Sequence, residues 1–80
     1  MSAPTDAQLA ALKWLRNRNG DGVFDRNQVL LAAGERAPVM RATWSRLEAL
    51  GLVERYQNNR RLRATDAGRY ADVSNVGESQ

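Results

Sequence analysis

Apolar and polar residues alternate along this chain at two periods, and the changes of period divide it into elements. Leu9, Leu12 and Leu15 mark one face at helical spacing, and Ala11 and Trp14 widen it. Thr5-x-x-Gln8 in front of that run fits a capping box, so a first helix is predicted from about 6 to 18. Asn19-Gly20-Asp21-Gly22 ends it as a turn, because Asn and Gly accept the positive φ that such turns use. Val23-Phe24 follows as a stub of strand. Asp25-x-x-Gln28 repeats the capping pattern, Val29, Leu30 and Ala33 supply an apolar face, and Gly34 stands at an exit, which together predict a short second helix. A third helix opens near Pro38, with Met40, Thr43, Trp44, Leu47 and Leu50 in an amphipathic stripe that Gly51 closes. Leu52 to Tyr56 reads as a strand, Gln57-Asn58-Asn59-Arg60 as a polar turn, and Arg61 to Ala64 as the returning strand. Thr65 and Asp66 cap a last short helix holding Ala67, Tyr70 and Val73.

The predicted order is helix, strand stub, helix, helix, strand, turn, strand, helix. Two short helices with a Gly-containing link form a helix-turn-helix, and the hairpin extends beside the third helix as a wing. The expected fold is therefore α+β but mostly helical. It is a winged helix-turn-helix with a three-helix core, a two-stranded wing and a short C-terminal helix. Trp44 falls in the core stripe, and Trp14 and Tyr70 are also read as packing residues. With 80 residues there is room for one domain, placed at 5–73 between a frayed leader (1–4) and a disordered polar tail (74–80).

Composition changes this picture mainly by exclusion. A hydrophobic fraction of 42% with 26% charged residues is ordinary for a folded domain. No apolar run reaches the roughly 20 residues of a membrane span, and the N-terminus lacks a signal-peptide pattern, so the expected location is the cytoplasm or nucleoid. The chain has no Cys and no His. That excludes disulfides, the usual zinc sites and Cys- or His-centred catalysis, and no enzyme activity, catalytic residue, metal or cofactor is expected.

Charge adds a direction. The net charge of +3 conceals seven arginines between Arg36 and Arg63 against only Glu48 and Glu54. Codon composition can account for Arg in place of Lys, but not for this gathering in one stretch. The planar guanidinium fork matches phosphate and guanine edges, so a nucleic acid is the partner such a stretch suggests.

Arg46-Leu47-Glu48-Ala49-Leu50-Gly51-Leu52-Val53-Glu54-Arg55 resembles the R-L-E-x-x-G-L-V-x-R signature of MarR-like winged-helix transcription regulators. Ala64-Thr65-Asp66-Ala67-Gly68-Arg69 is similar to the L-T-x-x-G-R segment that ends the wing in that family. The resemblance implies double-stranded DNA binding, with the third helix in the major groove and the wing on the backbone or in the minor groove. It suits a small transcription regulator or a phage or mobile-element accessory protein. The wing tip of about four residues is shorter than the family's wing. There is also no room for the long terminal helices through which the family dimerises.

The candidate DNA contacts are Arg36 ahead of the third helix and Val39, Arg41, Ala42, Ser45 and Arg46 on or beside its polar face. Asn58, Asn59, Arg60, Arg61 and Arg63 join them from the wing. Arg41, near the helix N-terminus, is placed to meet a base edge. The arginines of the tip are placed to meet phosphates. Two other readings compete. One is a protein-interaction module whose basic face docks an acidic partner, and a homodimer also belongs among the partners to test. The other is a calcium loop over Asn17–Gln28, which carries Gly at its sixth position but Gln where a bidentate Glu is needed.

Overall fold

The structure, a computed structural model, describes residues 3–79. Met1 and Ser2 of the expected leader and Gln80 of the expected tail lie outside the described residues. Helix α1 spans Asp6–Arg16 and carries the expected capping box, Thr5 accepting from the Gln8 amide and Gln8 accepting from the Thr5 amide. The chain then runs through β1 (Asp21–Phe24), β2 (Leu30–Ala32), β3 (Glu35–Arg36), α2 (Arg41–Ala49), β4 (Val53–Tyr56), β5 (Arg61–Ala64) and α3 (Asp66–Tyr70). The five strands form one antiparallel sheet in the order β3-β2-β1-β5-β4.

This architecture corrects the expected fold class. The helical share is 32%, so the domain is not mostly helical, and the helix-turn-helix is missing its first helix. Where a second helix was expected, the chain makes a turn and then two strands. The reason lies in Asp25 and Gln28. Asp25 behaves as its sequence suggests in offering its carboxylate to backbone amides, but it takes those of Asn27 and Val29, and Gln28 stands at φ +63. One left-handed residue is enough to stop a helix at its first turn. Beyond it, Leu30 and Ala32 alternate inward and are buried while Leu31 points to the other face. The short run Val29-Leu30-Leu31-Ala32 satisfies either period, and only its neighbours decide between them. Gly34 is then no helix exit. It pairs with Ala33 as the two-residue turn of the β2–β3 hairpin, both at positive φ.

The remaining elements match the sequence reading more closely. The α2 helix begins at Arg41, three residues after Pro38, and ends in a Schellman motif. Gly51 sits at φ +77, its amide donating to the Glu48 carbonyl and the Leu52 amide to the Leu47 carbonyl. Helices α1 and α2 pack on the inner face of the sheet around Leu12, Leu15, Leu30, Trp44, Leu47, Val53 and Leu62, all essentially without solvent contact. Trp44 lies fully within this core, its ring centroid 6.5 Å from that of Trp14. Tyr70 departs from expectation. It is 87% exposed, because α3 lasts only five residues and turns its last side chain to solvent.

Two corners tie the ends of the chain to this core. At the first, Thr65 caps α3 through the Gly68 amide and donates its hydroxyl to the Gly51 carbonyl, while its own amide donates to the Leu52 carbonyl. Gly68 is buried so tightly there that a Cβ would collide with the Leu52 carbonyl oxygen. At the second, residues 71–79 run back along α1. Arg16 donates to the Ala71 carbonyl, Lys13 to the Val76 carbonyl, and Asn17 and Arg18 both to the Glu78 carboxylate. Arg18 also reaches Glu35 of β3 and lies over the Trp14 ring, so one guanidinium joins α1, the sheet edge and the C-terminal segment.

Two outcomes follow. Gly68→Ala must push α3 away from the Leu52 carbonyl and is expected to cost about 1–3 kcal/mol, read as a lower urea midpoint with unchanged slope. The hydrogen bond from Asn17, followed by that from Arg18, holds Glu78 below the ordinary carboxylate range. A depressed carboxylate contributes stability above its unfolded value and loses it as pH falls. The stability difference between the native chain and Glu78→Gln is therefore expected to be flat above about pH 5 and to shrink as pH drops through 4.5 and below, measured by urea melts across that range.

Candidate nucleic-acid interface

The antiparallel order brings three segments to one end of the molecule. Helix α2 and strand β4 run in opposite directions about the Gly51 corner, which returns the β4–β5 tip to the level of the α2 N-terminus. Strand β1 pairs with β5 and ends at the same level, the Phe24 amide donating to the Arg60 carbonyl at 2.8 Å. The turn between β1 and β2 thus lies between the hairpin tip and the start of α2. Gln28 borders both of the grooves this creates. One, of about 280 Å³, is lined by the turn and by Val39, Met40, Arg41 and Ala42. The other, of about 510 Å³, is lined by the turn and by Asn58, Asn59 and Arg60.

The side chains at this end are mostly free. Arg26, Arg41 and Arg60 are exposed, and among the described residues none of them meets a carboxylate within ion-pair distance. The one acid lining either groove is Asp25, and its Oδ1 already accepts from the Asn27 and Val29 amides. Such an end presents net positive charge, three arginines against Asp25, together with amide donors. At the tip, Gln57, Asn58 and Asn59 all adopt positive φ, a run that Asn tolerates better than most residues, and the Arg60 amide closes it on the Gln57 carbonyl. Helix α2 starts without help from a side chain. Its N-cap is Met40, which makes no capping bond and is 79% exposed, whereas Thr5 and Thr65 cap the other two helices.

The residues expected from sequence divide between two places. Arg41, Ala42, Asn58, Asn59 and Arg60 gather at this end. Val39 borders the smaller groove but is half-buried against the core. Ser45 and Arg46 are exposed further along α2, and the Ser45 hydroxyl accepts from Arg55, which also lies 3.6 Å from Glu48 and over the Phe24 ring. Arg36, Arg61 and Arg63 point elsewhere. The strand register puts all three on the outer face of the sheet, Arg36 beside Leu31, Arg61 beside Val23 and Tyr56, Arg63 beside Asp21 and Glu54. There Tyr56 donates to Asp21 and accepts from Arg61, and Arg63 is paired with Glu54 over the Tyr56 ring. The hydrogen bond to Tyr56, then the charge of Asp21, raises Arg61 above its ordinary pKa, and the Glu54 hydrogen bond does the same for Arg63. The guanidinium groups of Arg61 and Arg63 are held in place by their neighbours, whereas Arg36 is exposed with no side-chain hydrogen bond or ion pair among the described residues.

Sequence reading missed Arg26, Asn27 and Gln28, which it assigned to the opening of a helix. The available signal was Asp25-Arg26-Asn27, a turn-forming composition that also fits a helix start. Asp21 belongs to β1 and is bound to Tyr56 and Arg61, which leaves it no place in a calcium loop. No helix is long and apolar enough to cross a membrane among the described residues. Comparison of the chain with protein-family models, with curated proteins and with solved structures gives no match.

The bare N-terminus of α2 makes a separate prediction. Met40 has the extended dihedrals of an N-cap (φ −80, ψ 159) but offers no acceptor, so Met40→Ser should stabilise the fold by about 0.5–2 kcal/mol, seen as a higher thermal midpoint.

Proposed function

We propose that this chain binds double-stranded DNA through the end of the domain formed by the α2 N-terminus and the β4–β5 tip. One observation carries the reading. Among the described residues three arginines without an ion-pair partner converge on that end, and the one carboxylate bordering its grooves accepts from two backbone amides. The first turn of α2 has the width to enter a major groove, and Arg41 stands on it with Ala42 and Met40 alongside, a guanidinium for guanine and apolar groups for a thymine methyl. Arg60 and the two Asn amides of the tip suit the sugar–phosphate backbone. The MarR-like resemblance of residues 46–55 and 64–69, which meet at the corner where Thr65 donates to the Gly51 carbonyl, adds to this reading. It fits a small transcription regulator or a phage or mobile-element accessory protein acting at the nucleoid.

Fluorescence anisotropy with sites selected from random duplexes tests it. Affinity should fall steeply between about 50 and 200 mM salt, because each neutralised phosphate releases counterions. Arg41→Ala should cost about 1–3 kcal/mol on the selected site and relax its sequence preference. Absence of binding to every duplex at low salt, with one acidic protein retained on the same basic end, would replace DNA with a protein partner.

A further inference from the structure

The wider groove, between the β1–β2 turn and the β4–β5 tip, has two walls of matching chemistry. One wall ends in Arg26 and the other in Arg60, both exposed and both without an acid partner among the described residues. Amides border both walls, Gln28 on the turn and Asn58 and Asn59 on the tip. The base of the groove is rigid. The Phe24 amide is hydrogen-bonded to the Arg60 carbonyl, and Asp25 closes the turn through its own amide to Val29 and its carboxylate to two more. The spacing of the walls is thus set by strand pairing, and neither guanidinium has to give up an existing ion pair to meet a ligand.

We propose that this groove is a phosphate clamp, in which Arg26 and Arg60 grip one sugar–phosphate strand of a duplex from opposite sides. The inference rests on the DNA-binding reading above and adds a third contact element to it, the β1–β2 turn. The clamp takes a nucleic acid backbone rather than an acidic protein surface because its donors stand in facing rows on the two walls of the groove, Arg26 and Gln28 on one and Asn58, Asn59 and Arg60 on the other, with Asp25 as the single acid among the described lining residues. A polyanion with regularly spaced charges fills both rows, and guanidinium groups hold phosphate oxygens in bidentate fashion. With the clamp on one strand, the start of α2 lies across the smaller groove on the other side of Gln28, where the base edges begin.

Arg26→Ala, Arg60→Ala and Arg41→Ala, compared with the native chain by anisotropy over a range of salt, test the clamp. Arg26 is exposed and unpaired, so its removal leaves the fold intact, and circular dichroism checks this directly. Arg26→Ala and Arg60→Ala are each expected to weaken binding roughly tenfold on all duplexes alike. Each should also lower the salt slope by about one unit. A duplex with a single neutral methylphosphonate at the clamped phosphate should bind the native chain more weakly, and Arg26→Ala should lose less from that change than the native chain does. If Arg26→Ala keeps native affinity and slope while Arg41→Ala and Arg60→Ala weaken binding, the clamp is overturned and the DNA reading stands. If the native chain binds no duplex at all, the functional reading itself fails.

Discussion

Strand β1 is held on both edges, by β5 on one side and β2 on the other, and the rest of the architecture depends on that double pairing. A strand of four residues cannot hold five strands together by side-chain burial alone. It does so by backbone proximity: Gly22 lies so close to β2 that a Cβ there would be 2.7 Å from the Leu31 carbonyl. With β1 in the middle, the chain that leaves Phe24 must turn back beside it, and the segment from Leu30 finds its backbone partners in a neighbouring strand instead of within a helix. Pairing with β1 satisfies the donors and acceptors that a helix would have satisfied internally, and a buried backbone cannot leave them open.

The same pairing assembles the proposed interface. Because β1 ends level with the β4–β5 tip, the turn that follows stands next to that tip, and α2, returning antiparallel to β4, starts on its other side. Arg26, Arg41 and Arg60 are far apart in sequence and come together only through this sheet order. Charge then separates into two populations. On the outer face of the sheet, Arg61 and Arg63 are matched by Asp21, Glu54 and Tyr56 and serve the stability of the hairpin at modest gain, since they are half-exposed. At the end of the domain Arg26, Arg41 and Arg60 have no such partners among the described residues. The basic stretch that is continuous in sequence is therefore split in space: Arg55, Arg61 and Arg63 are paired within the fold, while Arg41 and Arg60 stand at the proposed interface.

Several features were legible in the chain before folding because their causes are local. The capping box of Thr5 and Gln8, the buried pair Trp44 and Leu47 of the predicted stripe (though not Met40, which is exposed), the Gly51 exit, the hairpin around Asn58–Asn59 and the Thr65 cap each depend on residues within a few positions of one another. Arg41 and Arg60 were visible as candidates for the same reason, since a helix start and a hairpin tip are exposed wherever they are placed. The indole of Trp44 was assigned to the core from its spacing alone and lies there.

Tertiary structure decided the rest, above all the segment from Asp25 to Arg36. Its apolar residues fit a helix and a strand about equally, its Asp fits a cap and a turn, and its Gly fits a helix exit and a hairpin. No local preference breaks such a tie, and the free edge of β1 does, by offering hydrogen bonds that a helix there would forgo. Strand register elsewhere in the sheet determined which arginines are paired, since Arg61 meets Asp21 across β1–β5 and Arg63 meets Glu54 across β4–β5. The chain by itself thus specified that it has a basic helix start and a basic hairpin tip. The fold added the turn between them and withdrew Arg36, Arg61 and Arg63 to the far face of the sheet.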